Sequence, residues 1–264
     1  MNENIINNGY DYVDLGLPSK TLWATCNVGA DKPSDYGMYF QWGDTQGYTA
    51  DQVGTGNGQK KFSWADYKWS IDGSSSNFSK YNTAGNTLDL EDDAANIHMG
   101  GDWHMPTPTQ IRELINETDN TWTTQDGVNG RLFTSKKNGK SIFIPAAGVA
   151  WDGSLYNSGS DGNVWSSMLR TYNVNDGQLL YFDSSDASLL NGYRSGGFSV
   201  RGVIDKNDKN MNLSELIKNE IKNNFKVKVS ADYGGYVNVE LLYDGEVISS
   251  DFCQVITDFN SLDE

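Results

Sequence analysis

The sequence predicts an α+β protein with many short strands and one or two helices, followed by a small C-terminal module of one helix and an antiparallel hairpin. Three observations predict it. Glycine is abundant (28 of 264 residues) while long apolar periodicities are few, the pattern of a loop-rich, mostly β chain. Short runs of alternating apolar and polar residues recur along the chain, as half-buried strands require. One strong helix start stands at Met105-Pro106-Thr107-Pro108-Thr109-Gln110. Composition then changes after Ile204, dividing the chain into a domain over residues 1–205, a charged linker over 206–210 and a module over 211–264.

Residues 10–17 alternate, turn at Pro18-Ser19, and alternate again over 21–28, which predicts a hairpin. Residues 38–43 form a third candidate strand. From 46 to 86 the chain is rich in Gly, Ser and Asn and studded with Trp64, Tyr67, Trp69, Phe78 and Tyr81. So long an irregular excursion holds together only if its own side chains pack it. In the helix start, Thr107 suits the N-cap, Pro108 the first helical position and Gln110 the third, completing a capping box. Ile111, Leu114 and Ile115 then mark one apolar face. Further strands are expected over 130–135, 141–145, 179–182 and 199–204.

In the C-terminal module, Leu213, Leu216, Ile217 and Ile221 have helical spacing behind a cap at Asn212 or Ser214. Residues 225–229 and 236–241 alternate strictly, and Asp244-Gly245 supplies a hairpin turn before Val247-Ile248. So short a module buries little surface alone, which leads to the expectation that it docks or oligomerises.

The formal charge of −15 disfavours nucleic acid and anionic membrane surfaces as partners. No apolar run has the length of a membrane span, so no membrane insertion is expected. Residues 1–13 lack the basic and apolar segments of a secretory signal. The expectation is therefore a protein that reaches a surface as part of a particle, or one without its leader. Cys26 and Cys253 are too far apart in sequence for a metal cluster or a disulfide framework; one bridge is conceivable, and two buried free thiols are favoured.

The stretch 163–205 combines a stiff frame with a polar filling. The frame is Val164-Trp165-Ser166-Ser167 at one end and Phe198-Ser199-Val200-Arg201-Gly202-Val203 at the other. The filling, residues 168–178 and 183–197 around the apolar run 179–182, is rich in Tyr, Asn, Asp, Ser, Gly and Arg. These are the residue types of adaptable binding surfaces, and the filling lacks the periodicity of a core, so recognition is the expected work of this region.

Several motifs carry a family resemblance. Tyr12-Val13-Asp14-Leu15-Gly16-Leu17-Pro18-Ser19 is followed by Leu22-Trp23-Ala24-Thr25-Cys26-Asn27-Val28-Gly29-Ala30 and by Tyr36-Gly37-Met38-Tyr39-Phe40-Gln41-Trp42-Gly43-Asp44. Trp103-His104-Met105-Pro106-Thr107, Phe143-Ile144-Pro145-Ala146-Ala147-Gly148, Trp165-Ser166-Ser167 and Ser199-Val200-Arg201-Gly202-Val203 continue the order. Together they resemble the major paralogous (FISUMP-type) domain of gut bacteria and their phages, over residues 10–205. The resemblance implies a C-type-lectin-like fold, related to formylglycine-generating enzymes and to variable proteins diversified by retroelements. In the latter, the end of the lectin fold displays changeable side chains to a ligand. By that resemblance Trp165, Ser166, Ser167, Val200 and Arg201 form a structural frame, and Arg170, Tyr172, Asn173, Asn175, Asp176, Tyr193 and Arg194 are the ligand-binding candidates. Tyr and Arg offer rigid contact area and forked donors, and Asn and Asp offer adaptable hydrogen bonds. His104 stands where the family often has Arg, which bears on any ion pair made there.

No catalytic residue, metal or cofactor is expected. The run Asp89-Leu90-Glu91-Asp92-Asp93 lacks the spaced ligands and glycine of a calcium loop and is read as a solvated acidic turn before a helix at 94–99. The Glu-Pro-Asn, Gln-Pro-Asp and Trp-Asn-Asp motifs of calcium-bridged sugar sites do not occur. His98 and His104 fit no zinc spacing and are read as surface or core residues. Formylglycine chemistry rests on a cysteine pair late in the fold, whereas Cys26 is early and Cys253 lies in the appended module. The expected function is a non-enzymatic virion adhesin or fibre component that binds a host cell-surface glycan or protein. Residues 211–264 would contact other virion proteins or form a homo-oligomer, a trimer being favoured. The alternative is a bacterial cell-surface domain of the same fold.

Overall fold

The early alternating runs form β2 (Tyr10–Asp14) and β3 (Thr21–Asn27), paired antiparallel with Val13 opposite Trp23. The computed structural model describes residues 5–206, 225–231, 236–243 and 246–254. The chain divides into one unit over Met1–Lys206 and a second over Asn207–Glu264, within a residue or so of the expected linker. The architecture is α+β and dominated by antiparallel sheets.

In the first unit, β1 (Ile5–Asn7) joins β2 and β3, and β12 (Arg201–Asp205) pairs with β3 from the far end of the sequence, Val203 opposite Trp23. A second sheet has the order β11 (Ala187–Tyr193), β10 (Asp176–Phe182), β9 (Gly162–Leu169). A third joins β4 (Thr118–Gln125), β5 (Val128–Ser135) and β6 (Ser141–Pro145), and β7 (Val149–Trp151) pairs with β8 (Ser154–Tyr156).

The α-helices among the described residues are α1 (Ala94–Met99) and α2 (Pro108–Glu117). In α2 the Thr107 hydroxyl accepts from the Gln110 amide at 3.2 Å, and the Gln110 side chain accepts from the Thr107 amide at 2.8 Å. The capping box therefore forms as expected.

Residues 38–43 do not form a strand, contrary to expectation. Tyr39 and Phe40 make isolated bridges to Tyr48 and Phe198, and Tyr39, Phe40, Gln41 and Trp42 are all buried. Gly37 and Gly43, at φ 74° and 71°, bend the backbone at both ends. The filling of 163–205 is not wholly irregular either: β9, β10 and β11 run through it. Trp165, Leu169 and Leu179 enter one core cluster with Trp42, Phe198 and Val200, while Val164, Leu180 and Phe182 enter another with Ile111, Leu114 and Phe133. The expected strand at 179–182 is the second half of β10; β9 and β10 are buried on both faces and so show no apolar alternation, which hides the rest of them in the sequence.

The excursion over 46–86 is held in part by its own groups, as expected, and in part by the rest of the unit, Tyr81 packing with Trp42 and Trp165 and Phe62 with Ala147 and Ala150. The Asp66 carboxylate accepts from the amides of Lys61, Phe62 and Ser63 at 3.0, 3.1 and 2.7 Å, and Phe62, Tyr67, Phe78 and Tyr81 are buried.

The second unit contains an antiparallel sheet of β13 (Phe225–Ala231), β14 (Tyr236–Tyr243) and β15 (Glu246–Gln254). The expected helix through Leu213, Leu216, Ile217 and Ile221, the linker beyond Lys206 and the Asp244-Gly245 turn lie outside the described residues, as does the Cys253 side chain. Cys26 is a free thiol, half-buried rather than buried. No helix among the described residues is long and apolar enough to cross a membrane.

Candidate ligand-binding surface

The turn from β9 to β10 is organised around one carboxylate. Arg170 donates its backbone amide to the Asp176 carbonyl at 2.9 Å and its Nη1 to Asp176 Oδ2 at 3.1 Å. Asn173 Nδ2 donates to the same oxygen at 3.0 Å, and the Asn175 amide donates to Asn173 Oδ1 at 3.0 Å. Asp176 is buried, so these bonds satisfy it and shape the turn. At the tip Tyr172 is 91% exposed. Asp176 lies opposite Tyr193 in the β10–β11 register, which places Tyr193, 55% exposed, at the same end of the sheet.

Seven ligand candidates thus divide by burial. Tyr172 and Tyr193 are exposed, Arg170 is largely exposed, and Asn173 and Asn175 are half-buried turn formers. Asp176 is corrected from ligand contact to organiser of the turn, because its carboxylate is buried and already bonded. Arg194 is corrected more fully, because it is completely buried. Its Nε donates to Tyr67 Oη at 2.6 Å, its Nη1 to the carbonyls of Tyr81 and Val174 at 2.8 and 3.0 Å, and its Nη2 to the Lys80 carbonyl at 3.2 Å. The guanidinium also lies 4.3 Å from the Phe78 ring centre. Burial pushes the Tyr67 phenol up despite the nearby Arg194, so Tyr67 stays neutral and donates to the Trp42 carbonyl at 2.8 Å. Arg194 is a tie between the display turn and the excursion.

The residues expected as frame are all buried. Trp165 Nε1 donates to the Phe40 carbonyl at 2.8 Å, and Trp42 Nε1 to the Ser166 carbonyl at 2.9 Å. The Ser167 amide donates to the Pro106 carbonyl and the Val28 amide to the Val200 carbonyl, at 2.9 and 2.8 Å. Arg201 donates to Asn27 Oδ1 and to the carbonyls of Ala24, Thr25 and Phe143 at 2.9–3.2 Å, and its burial pushes the guanidinium down.

Two tryptophans complete the surface and were not among the candidates. Tyr193 packs between segments, with ring centres 5.7 Å from Trp151 of β7 and 6.0 Å from Trp64 of the excursion. Both tryptophans are half-buried. Trp64 is conspicuous in the sequence as an aromatic within a polar stretch; Trp151 is followed by an unused Asp152-Gly153 turn signal.

The acidic run differs from a solvated turn. Asp89 and Glu91 are exposed, but Asp92 is buried and Asp93 is buried as the N-cap of α1, accepting from the Asn96 amide at 3.0 Å. Carboxylate oxygens of Asp89, Glu91 and Asp92 lie within 4.8 Å of one another, close enough to hold a cation. The Lys80 ammonium reaches all three, at 2.7, 3.0 and 2.6 Å. Burial raises Asp92, but bonds from Lys80, Tyr81 and Lys68 outweigh it and hold the carboxyl below its ordinary range. His98 Nε2 meets the Thr45 carbonyl at 2.9 Å. His104 Nε2 lies 3.4 Å from Asp205 Oδ2, an ion pair whenever the imidazole is protonated.

No family model, curated protein or solved structure matches the chain.

Proposed function

We propose that this chain is a non-enzymatic ligand-binding protein, a virion adhesin or fibre component that recognises a host cell-surface glycan or protein. In this reading the first unit is a C-type-lectin-like scaffold of the FISUMP type. The observation that carries it is the contrast within one short stretch of sheet. Tyr172 and Tyr193 stand exposed on a base whose buried charged groups are tied: Asp176 by Arg170 and Asn173, and Arg194 by four oxygens across three segments. A rigid base under exposed tyrosines is what low-cost recognition requires, because little side-chain entropy remains to be lost on binding. The second unit would join this protein to other virion proteins or to copies of itself, as a trimer.

The test is attachment of the purified protein to a panel of whole bacterial cells. The double variant Tyr172→Ala/Tyr193→Ala is expected to lose attachment while its thermal transition stays close to the parent's. A collapse of the transition would make these tyrosines structural and overturn the reading.

A further inference from the structure

The aromatic residues of this protein sort into two kinds by what their polar tips do. Trp42, Trp69, Trp103 and Trp165 each donate the indole N–H to a backbone carbonyl, at 2.8–3.1 Å. The hydroxyls of Tyr39, Tyr67 and Tyr81 are likewise bonded, to Ala147, Trp42 and Asp92. Trp64, Trp151 and Tyr193 differ: like the buried Trp23 Nε1 and like Trp122, their polar tips have no acceptor among the described residues, but these three alone of that group meet one another. These three rings touch through Tyr193, and they come from the excursion, β7 and the end of β11. Each is braced from behind or beside. Trp64 packs on Tyr67 and Phe78 at 5.7 and 5.8 Å, and the strand after Trp151 turns back sharply at Asp152 and Gly153, with φ 46° and 79°.

Two ion pairs stand beside these residues in sequence. Lys61 pairs with Asp152 at 2.8 Å, and Lys60 with Asp66 at 3.8 Å, so the carboxylates nearest Trp151 and Trp64 in sequence each have a lysine. A surface of ring faces with free N–H and O–H tips on a chain of overall charge −15 suits a ligand without negative charge that has an apolar face edged by oxygen acceptors. A hexopyranose has that form, with C–H groups on its face and hydroxyls around its rim.

We propose that Trp64, Trp151 and Tyr193 form a stacking platform for an uncharged hexopyranose unit of a cell-surface glycan. The sugar face lies on the rings, and the indole N–H groups and the phenol donate to its hydroxyl oxygens. No metal ion takes part. The proposal rests on the binding function above and names its ligand class.

The test uses the full chain on an array of neutral hexose and hexosamine oligomers beside sialylated and sulfated ones. Attachment to whole cells is measured in parallel, with untreated, periodate-oxidised and protease-treated cells. Neutral oligomers are expected to bind, with attachment lost after periodate and kept after protease and in EDTA. Trp151→Ala is expected to weaken binding roughly tenfold or more, as truncation of an aromatic anchor does, and Tyr193→Phe by a smaller factor. Attachment destroyed by protease and untouched by periodate would overturn the sugar assignment in favour of a protein ligand and leave the binding function standing. Binding only to charged glycans, or equal binding by a folded Trp151→Ala, would also overturn it. Absence of attachment to every cell type by the folded parent would instead refute the binding function itself.

Discussion

Tyr193 and Arg194 are adjacent in the chain and have opposite fates. At the end of β11 the tyrosine ring turns outward between two tryptophans, and the arginine turns inward under the display turn. Both read alike in sequence, as large residues suited to contact a ligand. They separate because the aromatic rings and backbone carbonyls that receive the guanidinium come from the distant excursion. Arg194→Met would leave the Tyr67 hydroxyl and the carbonyls of Lys80, Tyr81 and Val174 without their buried donor. The expected cost is about 3 kcal/mol or more, measured by urea unfolding, since each orphaned group loses its hydration for nothing. Tyr172→Ala is expected to change stability by less than about 0.5 kcal/mol, because the side chain is almost wholly in solvent.

At the scale of elements, β12 is fixed where it leaves the first unit. Gln110 Nε2 of α2 donates to Asp205 Oδ1 at 2.6 Å, and His104 lies on the other carboxylate oxygen. Burial alone would lower the His104 imidazole, but the bond to Asp205, the Met105 carbonyl and the charges of Asp205 and Asp93 together raise it. Asp205 is lowered, chiefly by its bond from His104. The linkage sign follows. The His104 contribution is fully present below its unfolded value, near 6.5, and is lost as pH rises through the raised folded value. The Asp205 contribution is present above its unfolded value, near 3.8, and is lost as pH falls through the lowered one. Thermal stability should therefore decline as pH rises from about 6.5 through the raised His104 value in the parent, and His104→Asn should flatten that decline. An unchanged slope in the variant would show that the pair does not contribute. Lys206, next to Asp205, pairs with Asp14 at 3.3 Å, so the measurement compares slopes rather than absolute values.

Elements also differ in how far the sequence announces them. Asn8-Gly9, Asp126-Gly127 and Asp152-Gly153 all carry positive φ at both positions and join β1 to β2, β4 to β5 and β7 to β8. The same Asp-Gly signal stands at 244–245, so these hairpin turns are legible in the sequence. β4 was harder: its sequence TDNTWTTQ is almost wholly polar, and its strand state comes from pairing with β5.

For the whole molecule, the first unit holds its own core clusters and closes β3 against β12, so its two chain ends are tied together. Removing residues 207–264 is expected to leave a folded monomer with the parent's thermal transition for this unit. If the second unit drives assembly, light scattering will give a multiple of 29.2 kDa for the full chain and a single-copy mass for the truncated one. The same mass multiple in both would place assembly in the first unit.

What the sequence by itself determined was the local structure: the capped α2, the β2–β3 hairpin, the partly self-packed excursion and the division near residue 206. Those depend on groups a few residues apart, such as Thr107 and Gln110, so spacing alone reveals them. Tertiary structure decided the rest of the surface. Arg194 meets Tyr67 across 127 positions of sequence, and Trp64, Trp151 and Tyr193 converge from three separate segments. Whether an arginine serves a ligand or a core depends on which distant carbonyls lie within its reach, and residue type and spacing do not carry that information.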